Sequence, residues 1–112
     1  MITNEDWKPA EYNTGIMKGD DFREEFTFSV DGNIIDLSLG DPVITLKNSF
    51  DLPFRVFSIG DQLKYNGSTL VWTIPSSNTS TYSLDVYEYK LEVNIYGSNR
   101  TFLKGNFIVD AI

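Results

Sequence analysis

Histidine and cysteine are both absent from this 112-residue chain. Their absence removes thiol nucleophiles, Cys/His zinc sites, Ser-His-Asp triads and disulfide staples together. Basic residues are scarce: nine Lys and Arg stand against sixteen Asp and Glu, a formal charge of −7. Without a basic stripe, that balance opposes binding to a phosphate backbone, and no nucleic-acid partner is expected. No run approaches the roughly 18 apolar residues of a membrane span. The opening Met-Ile-Thr-Asn-Glu-Asp-Trp-Lys-Pro has neither the basic nor the apolar region of a secretory signal. Neither a membrane partner nor export is expected. Carboxylates are the remaining catalytic option, but Asp20-Asp21 and Glu24-Glu25 are adjacent in sequence. On a strand such neighbours point to opposite faces, whereas a glycosidase pair faces one cleft at roughly 5–9.5 Å. Asp31-Gly32-Asn33 with Asp36 lacks the spacing and closing Glu of a calcium loop, and no Gly-rich phosphate loop occurs. The reading is a non-enzyme with no cofactor, no metal and no catalytic residue.

What the chain has in plenty is aromatic residues, 14% of the total, set in alternating patterns. Phe22, Glu24, Phe26 and Phe28 alternate with Arg23, Glu25, Thr27 and Ser29, the period of a half-buried strand. Asp31-Gly32-Asn33 reads as a turn, Val43 to Leu46 as a β-branched strand, and Phe54 to Ile59 as a further strand with Phe54 and Val56 on one face. Asn66-Gly67 is a strong two-residue hairpin signal between Leu63-Lys64-Tyr65 and Leu70 to Ile74, which carries Trp72 as a core residue. Pro75 and the Ser/Thr residues after it offer N-cap chemistry for one short helical turn within residues 77–84. The clearest strand runs from Val86 to Tyr96, with Tyr87, Tyr89, Leu91 and Val93 inward and Glu88, Lys90 and Glu92 outward. Gly97-Ser98-Asn99 turns into a last strand whose alternating set is Leu103, Gly105, Phe107 and Val109. Short strands with turn signals at this spacing predict an all-β fold, an antiparallel Ig-like β-sandwich with at most one helical turn.

The length allows one domain, burying roughly 65% of its unfolded surface. Residues 19–112 account for it, and residues 1–18 read as an N-terminal arm without strand or helical period. The arm nonetheless carries Trp7, Tyr12 and Ile16, apolar groups that a soluble monomer hides. Two placements are open to them: against a neighbouring subunit, as partner-binding anchors, or back along an edge strand of the same sheet. The first is the favoured expectation. Acid is concentrated on this side of the chain, with eleven acidic and five basic residues in 1–56 against five and four in 57–112.

The ordered set of segments resembles small virion proteins and the N-terminal β-sandwich domain of baseplate upper proteins in tailed bacteriophages. The resemblance is carried by Gly19-Asp20-Asp21-Phe22, Asp31-Gly32-Asn33-Ile34-Ile35-Asp36-Leu37 and Val43-Ile44-Thr45-Leu46-Lys47. It continues in Thr79-Ser80-Thr81-Tyr82-Ser83-Leu84, Tyr87-Glu88-Tyr89-Lys90-Leu91-Glu92-Val93, Gly97 and Leu103-Lys104-Gly105-Asn106-Phe107-Ile108-Val109. The match runs in order from Gly19 to Val109 and leaves Phe54 to Tyr65 without a counterpart. It implies a structural component of a virion, in tail, baseplate, neck or capsid surface, made in the host cytoplasm. Its partners would be other phage structural proteins, met in multiple symmetric copies. The alternative from another class is an Ig-like module that binds carbohydrate or protein through exposed aromatics.

Overall fold

The computed structural model describes residues 2–4, 9–30, 33–34, 40–66, 68–95 and 97–111. In chain order the strands are β1 (Ile2–Asn4), β2 (Ala10–Glu11), β3 (Thr14–Met17), β4 (Phe22–Phe26), β5 (Phe28–Val30) and β6 (Asn33–Ile34). They continue with β7 (Val43–Lys47), β8 (Pro53–Ile59), β9 (Gln62–Asn66), β10 (Thr69–Ile74), β11 (Asp85–Ile95) and β12 (Ser98–Asp110). One helical turn, α1 (Ser76–Thr79), separates β10 from β11 and is the only helix among the described residues. No helix there is long and apolar enough to cross a membrane. Trp7, Asp31, Gly32, Ile35, Asp36, Leu37, Gly67 and Tyr96, which the sequence reading placed in the arm, turns and strands, lie outside the described residues.

The fold is all-β, as the alternation implies. A large sheet runs β2-β12-β11-β7-β8-β9-β10-β4, with β3 also on β12, and a small one runs β1-β5-β6. The large sheet curls until its ends face each other, because the apolar sides of its strands share one interior. Phe22 on β4 meets Phe107 on β12 edge to face at 5.1 Å, and Trp72 on β10 lies 5.5 Å from both Phe107 and Tyr89. Trp72 is fully buried, also touching Phe22 and Phe57. These edge-to-face and offset contacts suit the ring quadrupoles and fix the distance between the two halves.

The pairing is not antiparallel throughout, and this corrects the expectation of a purely antiparallel sheet. β2 and β3 both run parallel to β12, β8 pairs β9 in parallel, and so does β1 with β5. The β8–β9 case has a local cause. Parallel neighbours normally need a crossover of a dozen or more residues, yet here only Ser58–Gln62 and Ile59–Leu63 pair. The chain bends sharply at Gly60 (φ 89) and Gln62 (φ 69) and passes from one half of the curled sheet to the other. On β8 the inward residue is Phe57, opposite Ile44, while Val56 is exposed. The register shift between Leu46 and Lys47 undoes the simple alternation that had put Val56 with Phe54.

The hairpins otherwise follow their turn chemistry. β9 and β10 are antiparallel, with Asn66 opposite Thr69, as the hairpin signal at Asn66 implies. β11 and β12 pair along nearly their whole lengths, with a shift at Leu91/Glu92. The helical turn carries no side-chain cap of its own. Instead the Ser76 amide donates to Asp21 Oδ1 at 2.8 Å, and Thr79 Oγ1 donates to the Asp20 carbonyl at 2.7 Å. Tyr87 Oη then donates to the Ser83 carbonyl at 2.8 Å and closes the corner into β11.

Candidate interaction face

Residues 10–17 take the intramolecular placement: they are strands on the free edge of β12. Ala10 and Glu11 pair with Leu103 and Lys104, and Thr14 to Met17 with Phe107 to Asp110. Tyr12 donates its amide to the Lys104 carbonyl at 3.0 Å and packs edge to face on Phe26. Its hydroxyl reaches Glu24 Oε1 at 3.1 Å, the oxygen that also accepts from Thr14 Oγ1 at 3.0 Å. One carboxylate on β4 thus ties the edge segment to the opposite half of the curl. Ile16 packs against the core cluster, as do Ala10 and Tyr12. Tyr12 and Ile16 are therefore committed to their own sheet, and Trp7 lies outside the described residues.

The close approach of this edge depends on two missing side chains. A Cβ at Gly105 would run into the Tyr12 carbonyl, and one at Gly15 into the Ile108 carbonyl. The same Tyr12 carbonyl accepts a hydrogen bond from the hydroxyl of Tyr89, the residue opposite Gly105 on β11. Burial pushes the Tyr89 phenol far above its ordinary value, with the Tyr12 and Glu24 charges adding to the shift. Burial likewise raises Tyr12, helped by its bond to Glu24 and that residue's charge. It raises Tyr82 too, against the opposing pull of Arg55, whose guanidinium lies 5.4 Å from that ring.

Outside the curl, β3, β12, β11 and β7 present one continuous face. Its middle is charged, with three ion pairs around an exposed Glu88. Lys104 pairs with Glu11 at 3.7 Å, Lys90 with Glu92 at 3.3 Å and Lys47 with Asp51 at 3.5 Å. A hollow of about 500 Å³ lies here, lined by Glu11, Asn13, Lys47, Glu88, Lys104 and Asn106 among others. Towards the α1 end the face turns apolar. Val86 and Ile108, directly opposed on β11 and β12, are 49% and 42% exposed. Beside them the 48–52 loop carries Phe50, 82% exposed, and Leu52. Asp85 holds that loop on the face by accepting from the Ser49 amide and hydroxyl. A second hollow, about 370 Å³, opens between Asn48, Ser49, Asp51, Val86, Glu88 and Asn106.

This apolar end is what sequence reasoning missed, although a signal for it existed. Ile108 falls outside the inward set Leu103, Gly105, Phe107 and Val109, and Val86 has the parity of Glu88 and Lys90. An apolar residue at an outward position on each of two paired strands marks a sticky patch. The face offers ion pairs, hydroxyls and apolar side chains, which suit non-covalent recognition. Among the described residues, no three Asp, Glu, His or Cys gather into a group that could hold a metal ion. No family model matches the chain, and neither does any curated protein.

Proposed function

We propose that this chain is a non-enzymatic structural component of a bacteriophage virion, in tail, baseplate, neck or capsid surface, acting through protein–protein assembly. The observation that carries the reading is where the residues of the resemblance fall. Three of the quoted motifs do architectural work. Asp20 and Asp21 of the Gly-Asp-Asp-Phe segment hold the helical turn. Tyr87 and Tyr89 of the Tyr-x-Tyr strand close a corner and bind the edge segment. Gly105 of the last strand makes room for that segment. Residues used to set shape rather than chemistry are what an assembly protein needs.

The finer reading, an Ig-like sandwich, has support of the same kind. The order β12-β11-β7-β8 on one half and β4-β10-β9 on the other parallels the GFCC′ and BED sheets of a variable-type domain. The Tyr87 hydroxyl reaching back to Ser83 parallels its tyrosine corner. The carbohydrate alternative is less favoured because Tyr87 and Tyr89, its strand-borne aromatic platform, are 1% and 2% exposed.

The test is made on particles induced from the host that encodes the chain and banded on a density gradient. The protein is expected at a fixed ratio to the major capsid protein, with antibody label at one place on the particle. Banded, infectious particles without the chain overturn the proposal.

A further inference from the structure

We infer that the apolar end of the outer β11–β12 face docks an extended, basic segment of another protein, in which two Lys or Arg residues four positions apart flank a central apolar side chain. The seat is the opposed pair Val86 and Ile108. The strand period places Glu88 two positions from Val86, and Asp110 two positions from Ile108, on the same exposed face. Because β11 and β12 are antiparallel, these two carboxylates stand at opposite ends of the apolar pair. Gly15, the neighbour of Ile108 on β3, has no side chain to cover it, and Met17 lies beside Asp110. An apolar floor with an acid at each end is the result.

Charge selects the occupant. The lysines of this face are spent on their own molecule, Lys47 on Asp51, Lys90 on Glu92 and Lys104 on Glu11. Lys47 stands opposite Glu88 on β7 and bonds Asp51 instead. Glu88 and Asp110 are left without an ion pair among the described residues. An apolar partner seated on Val86 and Ile108 would strip water from both carboxylates and return no counter-charge. An acidic partner meets like charge, and a second copy of this −7 chain is one. A basic segment satisfies the floor and both ends together.

The dimensions agree. Successive outward positions on a strand are about 7 Å apart and neighbouring strands about 4.8 Å, so the Glu88 and Asp110 backbones stand about 14 Å apart, the reach of four residues of extended chain. At the Glu88 end the 370 Å³ hollow opens between the 48–52 loop and β11, walled by Asn48, Ser49, Asp51 and Asn106. Such a lining takes a long cationic side chain, its stem against Val86 and its head among oxygens. Phe50 projects from the rim, in a loop tied down by Asn48 Oδ1, which accepts from the Phe50 and Leu52 amides. An exposed ring held beside acid suits the face of an arginine head. The docking does not depend on the virion reading.

NMR titration of the isotope-labelled full chain with the blocked peptide Thr-Lys-Thr-Leu-Thr-Lys-Thr tests it. Saturable shifts are expected at the Val86, Glu88, Ile108 and Asp110 amides, with a dissociation constant of about 1 mM that rises with salt. Replacing both peptide lysines by Glu, or its Leu by Ser, should remove the saturation. Glu88→Gln combined with Asp110→Asn should weaken binding about tenfold, and Ile108→Ser about fivefold. All three positions are exposed, and each variant's own spectrum verifies that it is folded. A titration that leaves these amides unmoved overturns the inference. So does one matched by either control peptide or indifferent to the substitutions. Shifts of the same amides with protein concentration alone would seat a second copy on the face and overturn it as well.

Discussion

At the scale of single residues, the centre of this molecule is the meeting of Gly105, Tyr89 and Tyr12. Gly105 sits in the inward set of β12 where a side chain is missing, and the Tyr12 main chain fills the gap. Gly105→Ala should therefore push the edge segment off β12. Overpacking against backbone and the lost hydrogen bond together cost about 2–4 kcal/mol, readable as a lower midpoint in urea unfolding. Tyr89→Phe removes only the hydroxyl that Tyr12 receives and should cost about 1 kcal/mol at neutral pH. Its effect on alkaline stability is more telling. The folded phenol titrates far above its ordinary value of about 10, so the native state holds a proton that the unfolded state loses. The stabilisation is complete below that ordinary value and is lost as pH rises beyond it. Urea midpoints measured from pH 8 to 11 should fall more steeply for wild type than for Tyr89→Phe. The gap at position 105 is legible in the sequence. Its filler is not, because Tyr12 comes from the far end of the chain and no local period points to it.

At the scale of elements, α1 shows how a short helix is held by something outside itself. Four residues are too few to be stable alone. The Ser and Thr residues after Pro75 announced a capped turn, and the turn is there. Its cap, however, comes from Asp21, fifty-five positions away, where sequence propensity cannot see it. Asp21→Ala should cost about 0.5–2 kcal/mol, and hydrogen exchange should show the loss first at the Ser76 amide. A melt unchanged within error would mean that the cap contributes nothing. Strands were legible to the degree that they obey strict alternation. β11 does, since Tyr87, Tyr89, Leu91 and Val93 are all buried and Glu88, Lys90 and Glu92 lie on the opposite face. β8 does not, because a register shift beside Lys47 puts Phe57 in the core where alternation from Phe54 had favoured Val56. Bulges of this kind are set by pairing with the neighbouring strand and leave little trace in one strand's own sequence.

At the scale of the whole molecule, residues 10–17 are part of the sheet, and their removal is a test of that. A free arm could be cut without affecting the melt. Removing residues 1–17 strips Tyr12 and Ile16 from the core and leaves the β12 edge unpaired. Restoring that apolar surface to water costs about 3 kcal/mol. The melting temperature should drop by roughly 10–20 °C, and light scattering should reveal association through the bared edge. A truncated chain that melts like the full one would show that the edge segment is dispensable. The same parallel seam fixes a timetable during synthesis. Strand β3 is made about ninety residues before its partner residues Phe107 to Asp110. At ribosomal rates of 5–20 residues per second, about 5–20 s separate the two. Throughout that interval Tyr12 and Ile16 have no β12 to lie on, and the nascent chain offers them to any chaperone or neighbouring chain that reaches them first.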